Sequence, residues 1–122
     1  MKVKVIKLEI KNVEKSVINS KMEGFLNIGD EYIVYGLTMQ KNIMYVQIYI
    51  DNKLISIPIE LFEVIDSRVS RYWLVTYTNI TTRFWPNEFY QEYFHDDLFE
   101  EVPETVSKFN DVRNKIENEF NN

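Results

Sequence analysis

Residues 43–66 read IMYVQIYIDNKLISIPIELFEVID, and their order of apolar runs and breakers decides the fold class. Ile43 to Ile50 is a β-rich run bounded by Lys41-Asn42 before it and Asp51-Asn52-Lys53 after it. Asx residues in a break this short tolerate left-handed backbone, so the second break predicts a tight hairpin turn and Leu54 to Ile57 pairing back. Pro58 has no ladder donor, which ends that strand. Ile59-Glu60-Leu61-Phe62 then reads as a single tight turn, followed by a short strand over Glu63 to Asp66.

Working outward from there, Tyr32 to Met39 predicts the strand that precedes the Lys41-Asn42 turn, with Gly24 and Gly29-Asp30 as punctuation before it. Lys2 to Ile10 alternates, with Val3, Val5 and Leu8 on the inward side. Asn12 to Met22 is weakly patterned and reads as an irregular or short helical connection. C-terminal to the quoted stretch, Tyr72 to Thr78 alternates with Trp73, Val75 and Tyr77 on one face, Asn79 begins a turn, and Thr82 to Trp85 forms one more short strand. Pro86 and Pro103 each suit the first position of a helix, where the missing N–H costs nothing. From Pro103 onward, Val102, Val106, Phe109, Val112, Ile116 and Phe120 recur mostly at three- or four-residue steps, an amphipathic helix.

A meander, Ile57-Pro58, one helical turn and a short closing strand resemble the second half of SH3-like barrels, and Gly29-Asp30-Glu31-Tyr32 resembles the entry to their first long strand. The likeness covers about residues 28–66 and implies shape, not activity. The acidic loop and tryptophan pair with which SH3 domains hold proline-rich peptides are not in this stretch. The expected fold is therefore α+β and mainly β: an SH3-like, partly open antiparallel barrel with C-terminal helices packed against it. It is expected as a single domain over 1–122, mostly strands in 1–85 and mostly helical in 86–122.

The 122 residues suffice for one real core. Hydrophobic residues at 45% and charged residues at 27% are a globular composition. With no cysteine, disulfides, thiolate metal sites and thiol nucleophiles are excluded. There is no alanine, against many Ile, Asn and Lys, a codon skew of AT-rich bacterial or phage genomes. MKVKVIKLEIK lacks a signal peptide's apolar run, and no stretch is long enough to span a bilayer, so a cytoplasmic location is expected.

Net charge is −5, unevenly placed. Residues 1–83 hold 11 basic and 9 acidic groups, whereas 84–122 hold 3 basic and 10 acidic. That polarity repels nucleic acid and attracts cationic proteins. It concentrates in PNEFYQEYFHDDLFEEVPE, residues 86–104, which carries Glu88, Glu92, Asp96, Asp97, Glu100, Glu101 and Glu104, no Lys or Arg, and the one histidine, His95. On a continuous helix Glu88, Glu92 and Asp96 would form one stripe, with Phe89 and Tyr93 beside it. Two accounts fit: a solvated face whose charges pair with Arg68, Arg71 and Arg83, or a docking surface in which carboxylates steer a basic partner and exposed rings anchor it.

The apparatus for catalysis is thin. No G-x-S-x-G turn accompanies His95, the glycines are isolated, and Asp96-Asp97 are neighbours whose side chains diverge. Glu92-x-x-His95 with Asp96 is one half of a di-iron-type pattern, which needs two such motifs and two further glutamates. No cofactor and no metal are expected. A separate aromatic face, Tyr45 and Tyr49 with Tyr35 beside them, reads either as part of an aromatic cage of the kind that holds methylated lysine or as rings that cover the core or are covered by the C-terminal helix.

Leu61 to Trp73, and Phe84 to Tyr90 running into Phe94 to Leu98, are similar to a group of small proteins of low-GC bacteria associated with immunity to polymorphic toxins. The resemblance implies a single-domain inhibitor that binds a toxin and performs no chemistry. The charge reading supplies the residues: Glu88, Glu92, Asp96, Asp97, Glu100 and Glu101 for the field, with Tyr90, Tyr93 and Phe99 as anchors. The expected partner is a basic protein rather than nucleic acid or membrane. An adaptor using Tyr35, Tyr45 and Tyr49, and a metal enzyme centred on His95, remain as alternatives.

Overall fold

Paired left-handed residues set the framework of the computed structural model, which describes residues 1–8 and 26–120. Lys41 and Asn42 have φ of 51° and 65°, and Asp51 and Asn52 have 51° and 62°. Two consecutive positive φ values define the turn whose twist matches antiparallel strands. They join β3 (Gly36–Gln40), β4 (Ile43–Ile50) and β5 (Lys53–Pro58) into the expected meander. Pro58 is the last residue of β5 rather than lying beyond it. β5 is an edge strand, where the absent N–H breaks no ladder. A 3-10 turn over Ile59–Leu61 follows, then β6 (Phe62–Asp66), which returns antiparallel to β1 (Lys2–Val5).

The strand expected over Tyr32–Met39 is broken. Its first part is β2 (Glu31–Ile33), paired with β1; its second part is β3, paired with β4. The chain changes sheets at Val34-Tyr35, where the Val34 N–H donates to Met1 O (3.0 Å) and the Tyr35 N–H to Gln47 O (2.8 Å). Gly36 is needed just after this corner: a Cβ there would stand 2.6 Å from Gln47 Oε1 and 3.1 Å from Trp85 Cδ1. β1 is shorter than the Lys2–Ile10 reading, ending at Val5 with Ile6 exposed. The connection expected over Asn12–Met22 lies outside the described residues.

The hairpin β7 (Trp73–Thr78) and β8 (Thr81–Pro86) extends the meander, because β8 pairs with β3. Among the described residues two antiparallel sheets result, in the orders β2-β1-β6 and β5-β4-β3-β8-β7, and they do not join into a closed barrel. The fold is thus mainly β and partly open, with helices at its C-terminal end. One face of the five-stranded sheet supplies Leu37, Val46, Ile48, Ile57 and Trp73 to a core shared with Val3, Val5 and Phe62 of the smaller sheet. The opposite face supplies Tyr49, Leu54 and Trp85 to a second core with Phe89, Phe94, Phe109, Val112 and Ile116. Each fully buried aliphatic or aromatic chain in these cores contributes about 1.5–3 kcal/mol. The last helix, α2 (Pro103–Asn118), buries Phe109, Val112 and Ile116, as its periodicity predicts. No helix among the described residues is long and apolar enough to cross a membrane.

Candidate functional site

The acidic segment is not one helix. Asn87–Tyr90 is a 3-10 turn capped by Pro86, α1 spans Phe94–Phe99, and α2 starts at Pro103. Tyr93 (φ 62°) and Glu101 (φ 60°) take left-handed backbone at the two breaks. The stripe Glu88–Glu92–Asp96 that a continuous helix would give is therefore dispersed, and Glu92 and His95 do not share a helical face. The interruption follows from burial: Phe89, Phe94 and Phe109 turn inward together, with Phe89 stacked on Phe94 at 5.0 Å between centroids.

What remains exposed is a rim centred on α1. Glu92, Asp96, Glu100, Glu101 and Glu104 are exposed and Asp97 half-buried. Two rings flank the helix: Tyr93 just before it at 66% exposure and Phe99 at its end at 65%. At 1.5 Å per residue they stand roughly 9 Å apart along its axis. Among the described residues none of the seven carboxylates is in an ion pair; the pairs are Lys7–Glu60, Arg68–Asp66 and Arg113–Glu117. The arginines proposed as internal partners are engaged elsewhere. Arg68 grips Asp66 at 2.6 Å, and its hydrogen bonds hold that carboxyl far below the usual carboxylate range. Arg71 donates to the Tyr72 hydroxyl and Arg83 to Thr78 Oγ1. Glu88 stands apart from the rim: it is half-buried and lines a hollow together with Arg71 and Lys115.

Tyr90, expected as an anchor, has a structural role as a clasp. Its hydroxyl lies 2.5 Å from Leu74 O and 3.2 Å from Arg83 O, and accepts from Thr76 Oγ1 at 3.3 Å. Its ring lies against Trp85 at 5.2 Å. The clasp fixes the 3-10 turn to the β7–β8 hairpin and leaves a cleft of about 450 Å³ between them. Trp85, Tyr93, Arg83, Glu92, His95 and Asp96 line it. Arg83 and Trp85 reach the cleft because residues two apart on β8 share a face, and the guanidinium lies 5.1 Å over the indole. The alternation of Arg83 and Trp85 in the sequence is the signal that places them on one face.

His95 forms the inner end of this cleft. It contacts Trp85, Phe89 and Phe94 at 4.9, 5.5 and 5.6 Å. Gln47 Nε2 stands 3.2 Å from its Nε2. Burial lowers the imidazole pKa, opposed by Asp96, which favours the neutral ring, and a neutral ring with its proton on Nδ1 can accept from the Gln47 amide. Among the described residues no three His, Asp or Glu side chains converge as metal ligands. The tyrosine face is also divided. Tyr35 is 4% exposed and donates to Glu117 of α2, and Tyr49 packs against Phe109 and under Arg113, so α2 covers both. Tyr45 lies in a separate hollow with Gln47 and Trp85.

Comparison with protein-family models, with curated proteins and with solved structures finds no match for this chain.

Proposed function

We propose that this protein is a non-enzymatic binding protein that meets a basic protein partner with the α1 rim, as an inhibitor of the immunity type. One observation carries the reading: seven carboxylates in nineteen residues have no ion-pair partner among the described residues, although four arginines are present in the chain. A stretch of like charge left open in this way is held against mutual repulsion, and a cationic partner relieves that repulsion on docking. Glu92, Asp96, Glu100 and Glu101 supply the field that speeds encounter. Tyr93 and Phe99 are the exposed rings that anchor the partner's surface. Lys53 already holds its ammonium 3.9 Å from the Phe99 centroid, so this ring accepts a cation in the molecule itself.

The test is protection in cells. A toxin gene is expected beside this protein's own; co-expression with that toxin domain is expected to restore growth, and Glu92→Lys/Asp96→Lys/Glu100→Lys to abolish that protection while circular dichroism stays unchanged. Full protection by the triple variant would remove the rim from the mechanism.

A further inference from the structure

We infer that the outer edge of β7 pairs with β7 of a second copy of this chain, making a two-fold dimer through a continuous sheet. The inference is independent of the α1 rim. Among the described residues, four strands end the two sheets: β2, β6, β5 and β7. Three of them carry the features that prevent edge-to-edge pairing. β2 is three residues long and begins at Glu31; β6 carries Glu63 and Asp66; β5 carries Lys53 and Pro58. β7 reads WLVTYT, six residues with no charge and no proline. The uncharged run continues through the turn to Thr82, so two copies of an acidic protein meet here without like-charge repulsion.

The register follows from the hairpin. Asn79 and Ile80 form a two-residue turn with φ of 50° and 58°, which makes Thr78 and Thr81 a hydrogen-bonded pair. Bonding alternates along antiparallel strands, so Thr76 and Leu74 also bond inward to β8, while the backbone groups of Val75 and Tyr77 point to the free edge. An antiparallel second copy with its axis at Thr76 sets Val75 opposite the other copy's Tyr77. Both backbone bonds form in each of the two symmetry-related pairs, the isologous contact that closes after two subunits. The same register places β-branched Val75 beside an aromatic ring on one sheet face, a favourable cross-strand combination. Both side chains are free for it, at 61% and 69% exposure. Ile80 is 72% exposed and holds a β-branched side chain in left-handed backbone. Asn or Gly would relax that position, so the tip keeps apolar surface against local strain.

The chain has no cysteine, which allows a direct test. Thr76 faces its own copy across the axis as a non-hydrogen-bonded pair, with Cα atoms about 4.5 Å apart, within disulfide range. Thr76→Cys is expected to crosslink under mild oxidation at least about tenfold faster than Ile80→Cys, an exposed control off the axis. Light scattering of the unmodified chain at about 100 μM is expected to give twice the 14.7 kDa monomer mass. Val75→Pro, which removes an outward donor, and Tyr77→Lys, which charges the edge, are each expected to return it to the monomer with unchanged circular dichroism. A monomer at that concentration, a dimer that survives Tyr77→Lys, or equal crosslinking of the two cysteine variants would overturn the inference; a monomer would leave the edge to a strand of another protein.

Discussion

Gln47 Nε2 lies 3.2 Å from His95 Nε2, a contact between the middle of β4 and the first turn of α1. It ties the floor of the five-stranded sheet to the element that displays the acidic rim. Burial draws the imidazole pKa below its ordinary value, and Arg83 acts in the same direction against Asp96. The unfolded chain protonates this ring near pH 6.5, whereas the folded protein protonates it only at lower pH. The stabilisation is therefore present above about 6.5 and is lost as pH falls through the folded value. Urea midpoints between pH 7.5 and 5 should decline in the wild type and decline less steeply in His95→Leu, which is also less stable at pH 7.5 by about 1–3 kcal/mol because the Gln47 amide is left unpaired.

Gly36→Ala reports on the same floor from the neighbouring strand, where Gly36 stands directly opposite Gln47. The added methyl would stand 2.6 Å from Gln47 Oε1, and Gln47 has little room to yield, being 3% exposed and held by His95. The expected cost is about 1–3 kcal/mol in chemical denaturation. An unchanged midpoint would mean that Gln47 repacks without resistance.

Tyr90 and Tyr93 are three residues apart and separate stability from binding. Tyr90→Phe removes a hydroxyl that joins Leu74, Arg83 and Thr76, and is expected to lower stability by about 1–2 kcal/mol without weakening partner binding. Tyr93→Ala removes a ring at 66% exposure, and is expected to weaken binding while leaving the denaturation midpoint in place. The two are read by urea titration and by calorimetric titration with the partner.

Tyr35 anchors α2 through its 3.0 Å hydrogen bond to Glu117, and burial, with the Glu117 charge, pushes its pKa far above the usual tyrosine value. Its contribution is complete below pH 10, where the unfolded tyrosine begins to ionise, and is lost as pH rises further. Stability should fall between pH 9.5 and 11.5 in the wild type, with a shallower slope in Tyr35→Phe. Tyr32, whose pKa is also raised by burial, supplies part of the residual slope.

Local chemistry explains which features were legible in the sequence. Lys41-Asn42 and Asp51-Asn52 specify their turns within a few residues, and Pro103 with the Phe109–Val112–Ile116 stripe specifies α2. The division of Tyr32–Met39 was not legible, because the corner at Val34-Tyr35 is set by distant partners, Met1 and Gln47. In the acidic segment the charge was plain but the backbone was not. Phe89 and Phe94 both turn into the core, and left-handed Tyr93 is what allows it. Tyr90 and Tyr93 look alike in a list of aromatics; only the carbonyls of Leu74 and Arg83, brought up by a hairpin, separate a clasp from an exposed ring.

The most direct test of the acidic rim is the affinity for the proposed basic partner, measured by calorimetry from 50 to 500 mM salt, for the wild type and for Glu92→Lys/Asp96→Lys/Glu100→Lys. Wild-type affinity should fall steadily with salt, and the triple variant should bind at least about tenfold more weakly at 50 mM with that dependence largely gone. Equal affinities and equal salt dependence in the two proteins would contradict a partner docked on α1 through its carboxylates.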